Sequence, residues 1–299
     1  MNFASQLIAA IRRTKSVTCV GLDPRKDNLP AGLRSLATHG TDDEWAAAYT
    51  QFCQEIIDVV KDIVPCVKPQ AAFFEQLGPA GTVALAQVIR YAVDAGLLVI
   101  LDGKRNDIGS TAAAYADAYL GAHSPWGSHA LTVSPYLGRD SIEPFVEVCD
   151  ERRAGIFVLV KTSNPGGGLL QDRATEGQSV YGRVAELISE LNEDRAEEAG
   201  YGPVGAVVGA TYREQLAELR QAMPRSIILI PGFGAQGGAV DDVRVGFDDQ
   251  GLGGVVNSSR HIIFAHSREP YADRFGEARW QDAVRAATDE MNAQLDFVR

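Results

Sequence analysis

The segment Asp102-Gly103-Lys104-Arg105-Asn106-Asp107 sets a lysine among carboxylates directly after the apolar run Leu97-Leu98-Val99-Ile100-Leu101. Such a run reads as a strand buried on both faces, as in a parallel sheet. Side chains alternate along a strand, which puts Asp102 and Lys104 on one side and leaves Asp107 in the turn to the next helix. Charges where a buried strand emerges are costly unless they are paired. A lysine flanked by carboxylates stays protonated, because opposite charge favours its charged form. It is then a poor Schiff-base nucleophile and a good proton donor. The chemistry this suits is protonation of a carbanion-like centre. The plainer reading is a structural ion-pair network of Lys68, Asp102, Lys104 and Asp107.

The elements that would position these groups recur along the chain. Eight short apolar runs occupy residues 17–22, 64–68, 97–102, 130–133, 156–161, 204–208, 227–230 and 254–257. Helical patterns separate most of them, at 42–63, 80–95, 110–121, 141–152, 178–199, 212–223 and 274–297. In the first of these, Trp45, Tyr49, Phe52, Cys53, Ile56, Val59, Val60 and Ile63 make one apolar face, with Thr41 and Glu44 as a capping box. Alternating strands and helices imply a parallel sheet. Eight units in 299 residues imply a (β/α)8 TIM barrel. Residues 1–299 read as one such domain, with a short helix at about 2–13 before the first strand. An open doubly wound sheet is the alternative. Residues 164–178 form the one long Gly-rich connection.

Barrel sites lie at the C-terminal ends of the strands, with phosphate held after strands seven and eight. The first strand ends in Asp23, the second in Lys68 and the fifth in Lys161-Thr162-Ser163-Asn164-Pro165. The seventh opens into Pro231-Gly232-Phe233-Gly234-Ala235-Gln236-Gly237-Gly238, and the eighth ends in Asn257-Ser258-Ser259-Arg260. A Gly-rich loop lets backbone N–H groups approach a ligand, and an arginine fork suits phosphate. Together they read as a phosphate site.

Composition narrows the partners. A net charge of −11 argues against non-specific nucleic-acid binding, although a few local cations can still hold an anionic substrate. No apolar run approaches membrane-spanning length. Cys19, Cys53, Cys66 and Cys149 show no CxxC or Cys/His ligand spacing. They read as small buried hydrophobes in a reducing, cytoplasmic compartment. The histidines lie away from the strand ends, His261 excepted, and no metal-ligand set accompanies the charged cluster.

Taken together, these residues resemble orotidine 5′-phosphate decarboxylase, in the longer bacterial branch of that family. The match runs from Val20-Gly21-Leu22-Asp23-Pro24 to Arg260. Its most specific part is Asp102–Asp107 extended by Ile108-Gly109-Ser110-Thr111, with Val67-Lys68-Pro69-Gln70 beside it. The resemblance implies a homodimeric barrel that converts orotidine 5′-phosphate to uridine 5′-phosphate and CO₂, with no cofactor or metal. It implies that Lys68, Asp102, Lys104 and Asp107 form the catalytic network, and that Lys104 protonates C6. Asp107 and Thr111 would reach into the partner subunit's site. Asp23 and Lys68 would contact the ribose and Ser163 the pyrimidine edge. Gln236 would bridge base and phosphate, with Pro231 and Gly237 also at the substrate and Arg260 on the phosphate. Asn-Ser-Ser-Arg departs from the Gly-Arg of the shorter branches, and Gly166-Gly167-Gly168 is an insertion that bears on the reach of Ser163. Two other readings stand beside this one. One is a Mg²⁺-dependent phosphosugar enzyme on the same barrel, which would carry acidic metal ligands where this chain has Lys68. The other is a barrel that only binds a phosphorylated nucleoside.

Overall fold

The eight apolar runs close into a parallel barrel. The computed structural model describes residues 1–233 and 240–298. Its strands are β1 (Thr18–Leu22), β2 (Cys66–Pro69), β3 (Leu98–Arg105), β4 (Ala130–Val133) and β5 (Gly155–Lys161), a small hairpin of β6 (Ala174–Thr175) and β7 (Gln178–Ser179), then β8 (Val204–Val208), β9 (Ile228–Pro231) and β10 (Gly254–Ser258). The barrel order is β1-β10-β9-β8-β5-β4-β3-β2, so the open-sheet alternative falls. Barrel strands are buried on both faces, which is why they read as continuous apolar runs rather than as alternation.

The N-terminal helix Phe3–Thr14 closes the bottom of the barrel. Its Asn2 side chain caps it by accepting from the Ser5 N–H at 2.8 Å. Phe3, Leu7 and Ile11 are buried, and each such burial is worth about 1.5–3 kcal/mol. Phe3 reaches the barrel because Gly155 has no side chain: a Cβ there would sit 2.5 Å from the Phe3 ring. The ring then meets Phe157 edge-on at 5.9 Å.

The helix Asp42–Val60 has the expected capping box, with Thr41 and Glu44 bonded reciprocally at 3.3 and 3.2 Å. Two helical expectations are shortened. The pattern at 178–199 is helical only over Val180–Leu191, because the buried Asn192 side chain bonds both backbone groups of Val204 and turns the chain inward. The pattern at 274–297 breaks at Gly276, which has a φ of +60°, and its helix runs over Trp280–Gln294. Nor is 164–178 a plain loop. It contains a helical turn at Gly168–Gln171 and the β6–β7 hairpin, whose turn residues Glu176 and Gly177 both have positive φ. All four cysteines are free and buried. No helix among the described residues is long and apolar enough to cross a membrane.

Candidate active site

Asp102 stands at the centre of the barrel mouth between two ammonium groups. Lys68 Nζ donates to Asp102 Oδ2 at 2.7 Å and Lys104 Nζ to Oδ1 at 2.5 Å. The Thr132 hydroxyl also donates to Oδ1, at 3.0 Å. Exposure divides the roles. The side chains of Lys68 and Asp102 are 6% and 9% exposed, whereas that of Lys104 is 48% exposed and faces the open mouth.

The electrostatics follow from this packing. Burial alone would push the Lys68 ammonium down, but Asp102 and then Asp23 outweigh it and hold Lys68 above its ordinary range. Burial likewise opposes the Asp102 carboxylate, and Lys68 and Lys104 outweigh that and hold Asp102 well below the usual carboxylate range. Both groups are therefore charged across the neutral range.

The backbone of β3 is bent to make this arrangement. Alternation does bring Asp102 and Lys104 to one side, but through an irregularity: the pairing with β4 shifts register between Leu101 and Arg105. Lys104 takes a φ of +46°, a conformation that costs a non-glycine residue about 1–2 kcal/mol. Contacts at Lys104 and at its neighbour Arg105 hold it there. The Lys104 N–H donates to the Thr132 hydroxyl at 2.9 Å. Arg105 is pinned by Glu75, by the Tyr119 hydroxyl at 3.0 Å and by the Gly103 carbonyl at 2.8 Å. Strain held by its surroundings is characteristic of functional sites.

The other expected residues fall around this centre at differing distances. Asp23 lies at the end of β1, close enough to act on Lys68, and its Oδ1 is shielded from solvent with no hydrogen-bond partner among the described residues. Ser163 follows β5 and packs tightly against Gly209, where a Cβ would lie 2.8 Å from the serine Cβ. Pro231 ends β9, and Arg260 is exposed at the start of the helical turn after β10. Asp107 does not join the network of its own chain. Its Oδ1 accepts from the Ile108 N–H at 2.9 Å, and among the described residues it has no ion pair. Thr111 is exposed on the helix Gly109–Leu120. Gln236 and Gly237 lie outside the described residues.

Sequence reasoning passed over three participants. Thr132 looked like one more β-branched strand residue, and only the register of β3 on β4 gives it a role. Arg105 read as part of the charged motif, whereas its work is to anchor the strand end. Lys161 stands at a strand end, where the sequence alone gives it no function. It is buried, pairs with Asp172 and sits over the rings of Tyr212 and Tyr181 at 4.7 and 5.7 Å. With the Gln171 amide oxygen accepting from the Thr162 N–H at 3.1 Å, this ties the 164–178 segment back to the end of β5. Among the described residues no group of three His, Cys, Asp or Glu side chains could hold a metal ion.

Comparison with known proteins agrees with the resemblance read from the motifs. Residues 16–275 match the model of the orotidine 5′-phosphate decarboxylase / HUMPS family. The chain is 69% identical over 299 residues to an orotidine 5′-phosphate decarboxylase of Rhodopirellula baltica, covering 99% of each. It is 42% identical to one of Deinococcus radiodurans, covering 95% of this chain and 94% of that one. A solved structure of the Leishmania donovani enzyme superposes with a TM-score of 0.76 at 35% identity, covering all of both chains. The chain therefore belongs to the orotidine 5′-phosphate decarboxylase / HUMPS family.

Proposed function

We propose that this protein decarboxylates orotidine 5′-phosphate to uridine 5′-phosphate and CO₂, the last step of UMP synthesis, with Lys104 delivering the proton to C6. The observation that carries the reading is the Asp102 carboxylate bound by the buried Lys68 on one oxygen and the accessible Lys104 on the other. Departure of CO₂ leaves an electron pair at C6. An ammonium ~4 Å away, at an effective dielectric of ~20, attracts that charge by about 4 kcal/mol. The attraction grows as charge localises on carbon, so it favours the transition state over bound substrate. The Lys104 N–H bond then breaks, the proton goes to C6, and Lys104 is left neutral until solvent reprotonates it. Lys68 does not serve as the donor: it is buried and held above its ordinary range by Asp102 and Asp23.

The remaining roles follow the same reading. Asp102 faces the substrate carboxylate, Asp23 and Lys68 take ribose hydroxyls, and Ser163 takes the pyrimidine edge. Pro231, Gln236, Gly237 and Arg260 enclose the phosphate side. Residues 1–299 act as one barrel domain, in the cytoplasm, as a homodimer that shares Asp107 and Thr111 across the interface. Support for the dimer comes from the surface around Asp107. Its in-chain partners are local, and Ile108 and Tyr136, on the loops after the adjacent strands β3 and β4, are 53% and 76% exposed. Large apolar side chains left exposed together mark an interaction surface.

The family description also covers HUMPS members, so the assay must separate chemistries. Lys68 Nζ lies 2.7 Å from the carboxylate that a metal-dependent site would need for a divalent cation, and an ammonium there repels one. The test is loss of orotidine 5′-phosphate absorbance with stoichiometric uridine 5′-phosphate in metal-free buffer. No turnover in that assay, with activity on a phosphosugar once Mg²⁺ is added, would overturn the proposal.

A further inference from the structure

Lys161 is a buried ammonium that the chemistry at the barrel mouth does not use. Its side chain is 1% exposed, whereas that of its partner Asp172 is 53% exposed. Its other contacts are aromatic faces: Tyr212, which precedes the helix Arg213–Ala222, and Tyr181, in the helix Val180–Leu191. Burying a charge is costly, and an apolar side chain of similar volume is often the more stable choice. The lysine therefore calls for a role besides stability. Its place in the strand supplies one. The pairing of β5 with β8 shifts just before it, since Leu159 pairs with Val207 and Lys161 with Val208. An extra residue of this kind re-aims side chains and recurs beside active sites. Two residues further on stands Ser163.

The segment after Ser163 folds back onto the same strand end. The Gln171 side chain makes two bonds to Thr162, accepting from its N–H at 3.1 Å and donating to its hydroxyl at 2.7 Å. That hydroxyl in turn donates to Asn164 Oδ1 at 2.6 Å. Gly167 leaves room for the pair, because a Cβ there would lie 2.9 Å from Gln171 Oε1. On the β8 side the Gly209 N–H donates to the Lys161 carbonyl at 2.7 Å, and a Cβ on Gly209 would lie 2.9 Å from Ser163 N. The residues on both sides of Ser163 are thus tied down, and the ties run to positions 171 and 172.

We infer that Lys161 and Gln171 are positioning residues for recognition of the base. Through Asp172 and Thr162 they pin residues 164–173 to the end of β5 and so fix Ser163 for the pyrimidine edge. Both act through Ser163 rather than on the substrate. The inference rests on the proposed function, which gives Ser163 its contact, and adds the side chains that hold it in place.

The test uses Gln171→Ala, Asp172→Ala and Lys161→Met, titrated calorimetrically with uridine 5′-phosphate, uridine and ribose 5-phosphate. Each variant should weaken the two ligands that carry a base by roughly fivefold to tenfold, about the worth of one hydrogen bond, and ribose 5-phosphate by no more than about twofold. A double-mutant cycle adds a readout that a merely structural role would not move. In a Ser163→Ala background, Gln171→Ala should weaken uridine 5′-phosphate by less than about twofold further, because its effect passes through Ser163. Affinities within about twofold of wild type for all three ligands would overturn the inference. So would equal losses for the three, or a Gln171→Ala loss that persists in full without the Ser163 hydroxyl. If Lys161→Met fails to fold, Gln171→Ala and Asp172→Ala decide the matter, since both side chains lie partly in solvent. Wild-type turnover of orotidine 5′-phosphate is measured alongside. Its absence would sink the proposed function, while losses confined to the ligands with a base would still support the positioning.

Discussion

Lys68 and Lys104 share one carboxylate, each bound to a different oxygen of Asp102 at 2.7 and 2.5 Å. Removing the buried partner should therefore be felt in stability as well as in activity. Lys68→Met should destabilise the fold by about 3–5 kcal/mol, because it leaves a buried carboxylate with one ammonium instead of two. Urea unfolding at neutral pH measures this, and unchanged stability would contradict the pairing.

The same network sets a pH expectation. Asp102 is held below its ordinary value, so its stabilisation is complete above the unfolded value of about 3.9 and fades as pH falls through the folded value. Lys68 is held above its ordinary value, so its contribution is complete below about 10.4 and fades as pH rises through the folded value. Between about pH 5 and 9 the network should contribute a constant amount. The difference in unfolding free energy between wild type and Lys68→Met, measured across that range, should be flat. A difference that climbs or falls steadily within it would contradict both assignments.

Much of this architecture was legible beforehand. Parallel barrel strands are buried on both faces, so all eight appeared as apolar runs and matched the barrel strands within a few residues. Helix ends were less legible. The halt at Asn192 depends on its bonds to Val204, a contact that no local pattern announces. The β6–β7 hairpin was missed because its turn puts Glu176, rather than a residue suited to left-handed backbone, at positive φ. In the site, Lys68, Asp102 and Lys104 could be found because charge at the end of an apolar strand is conspicuous. Thr132 could not, since its role exists only through the register of β3 on β4.

Arg260→Ala should weaken uridine 5′-phosphate far more than uridine, by about 10-fold to 100-fold against little change, as befits loss of a charge-assisted contact to phosphate. Calorimetric titration of both ligands into both proteins decides it. Equal losses for the two ligands would place Arg260 away from the phosphate.

Activity should survive exhaustive chelation. The ion pair of Lys68 with Asp102 stands where a divalent cation would be repelled, and the described residues offer no ligand cluster. Loss of turnover with EDTA, restored by Mg²⁺, would favour the metal-dependent chemistry instead.

The proposal that two subunits share Asp107 makes a quantitative prediction. Lys104→Ala and Asp107→Ala should each be nearly inactive. In a mixed dimer one site collects both defects and the other is intact. Equal amounts, unfolded and refolded together, should therefore recover roughly a quarter of wild-type activity. No recovery despite demonstrated subunit exchange would place Asp107 in its own subunit's site.

The most direct test of the account is Lys104→Ala under single-turnover conditions with orotidine 5′-phosphate. Lys104 is the accessible ammonium of the network and the assigned proton donor, so its loss belongs to the chemical step. The rate of decarboxylation should fall by at least roughly 10³-fold, the upper part of the range for losing a general acid and its charge, with uridine 5′-phosphate affinity changed only a few-fold. A folded Lys104→Ala protein that turns over at close to the wild-type rate would contradict the central claim.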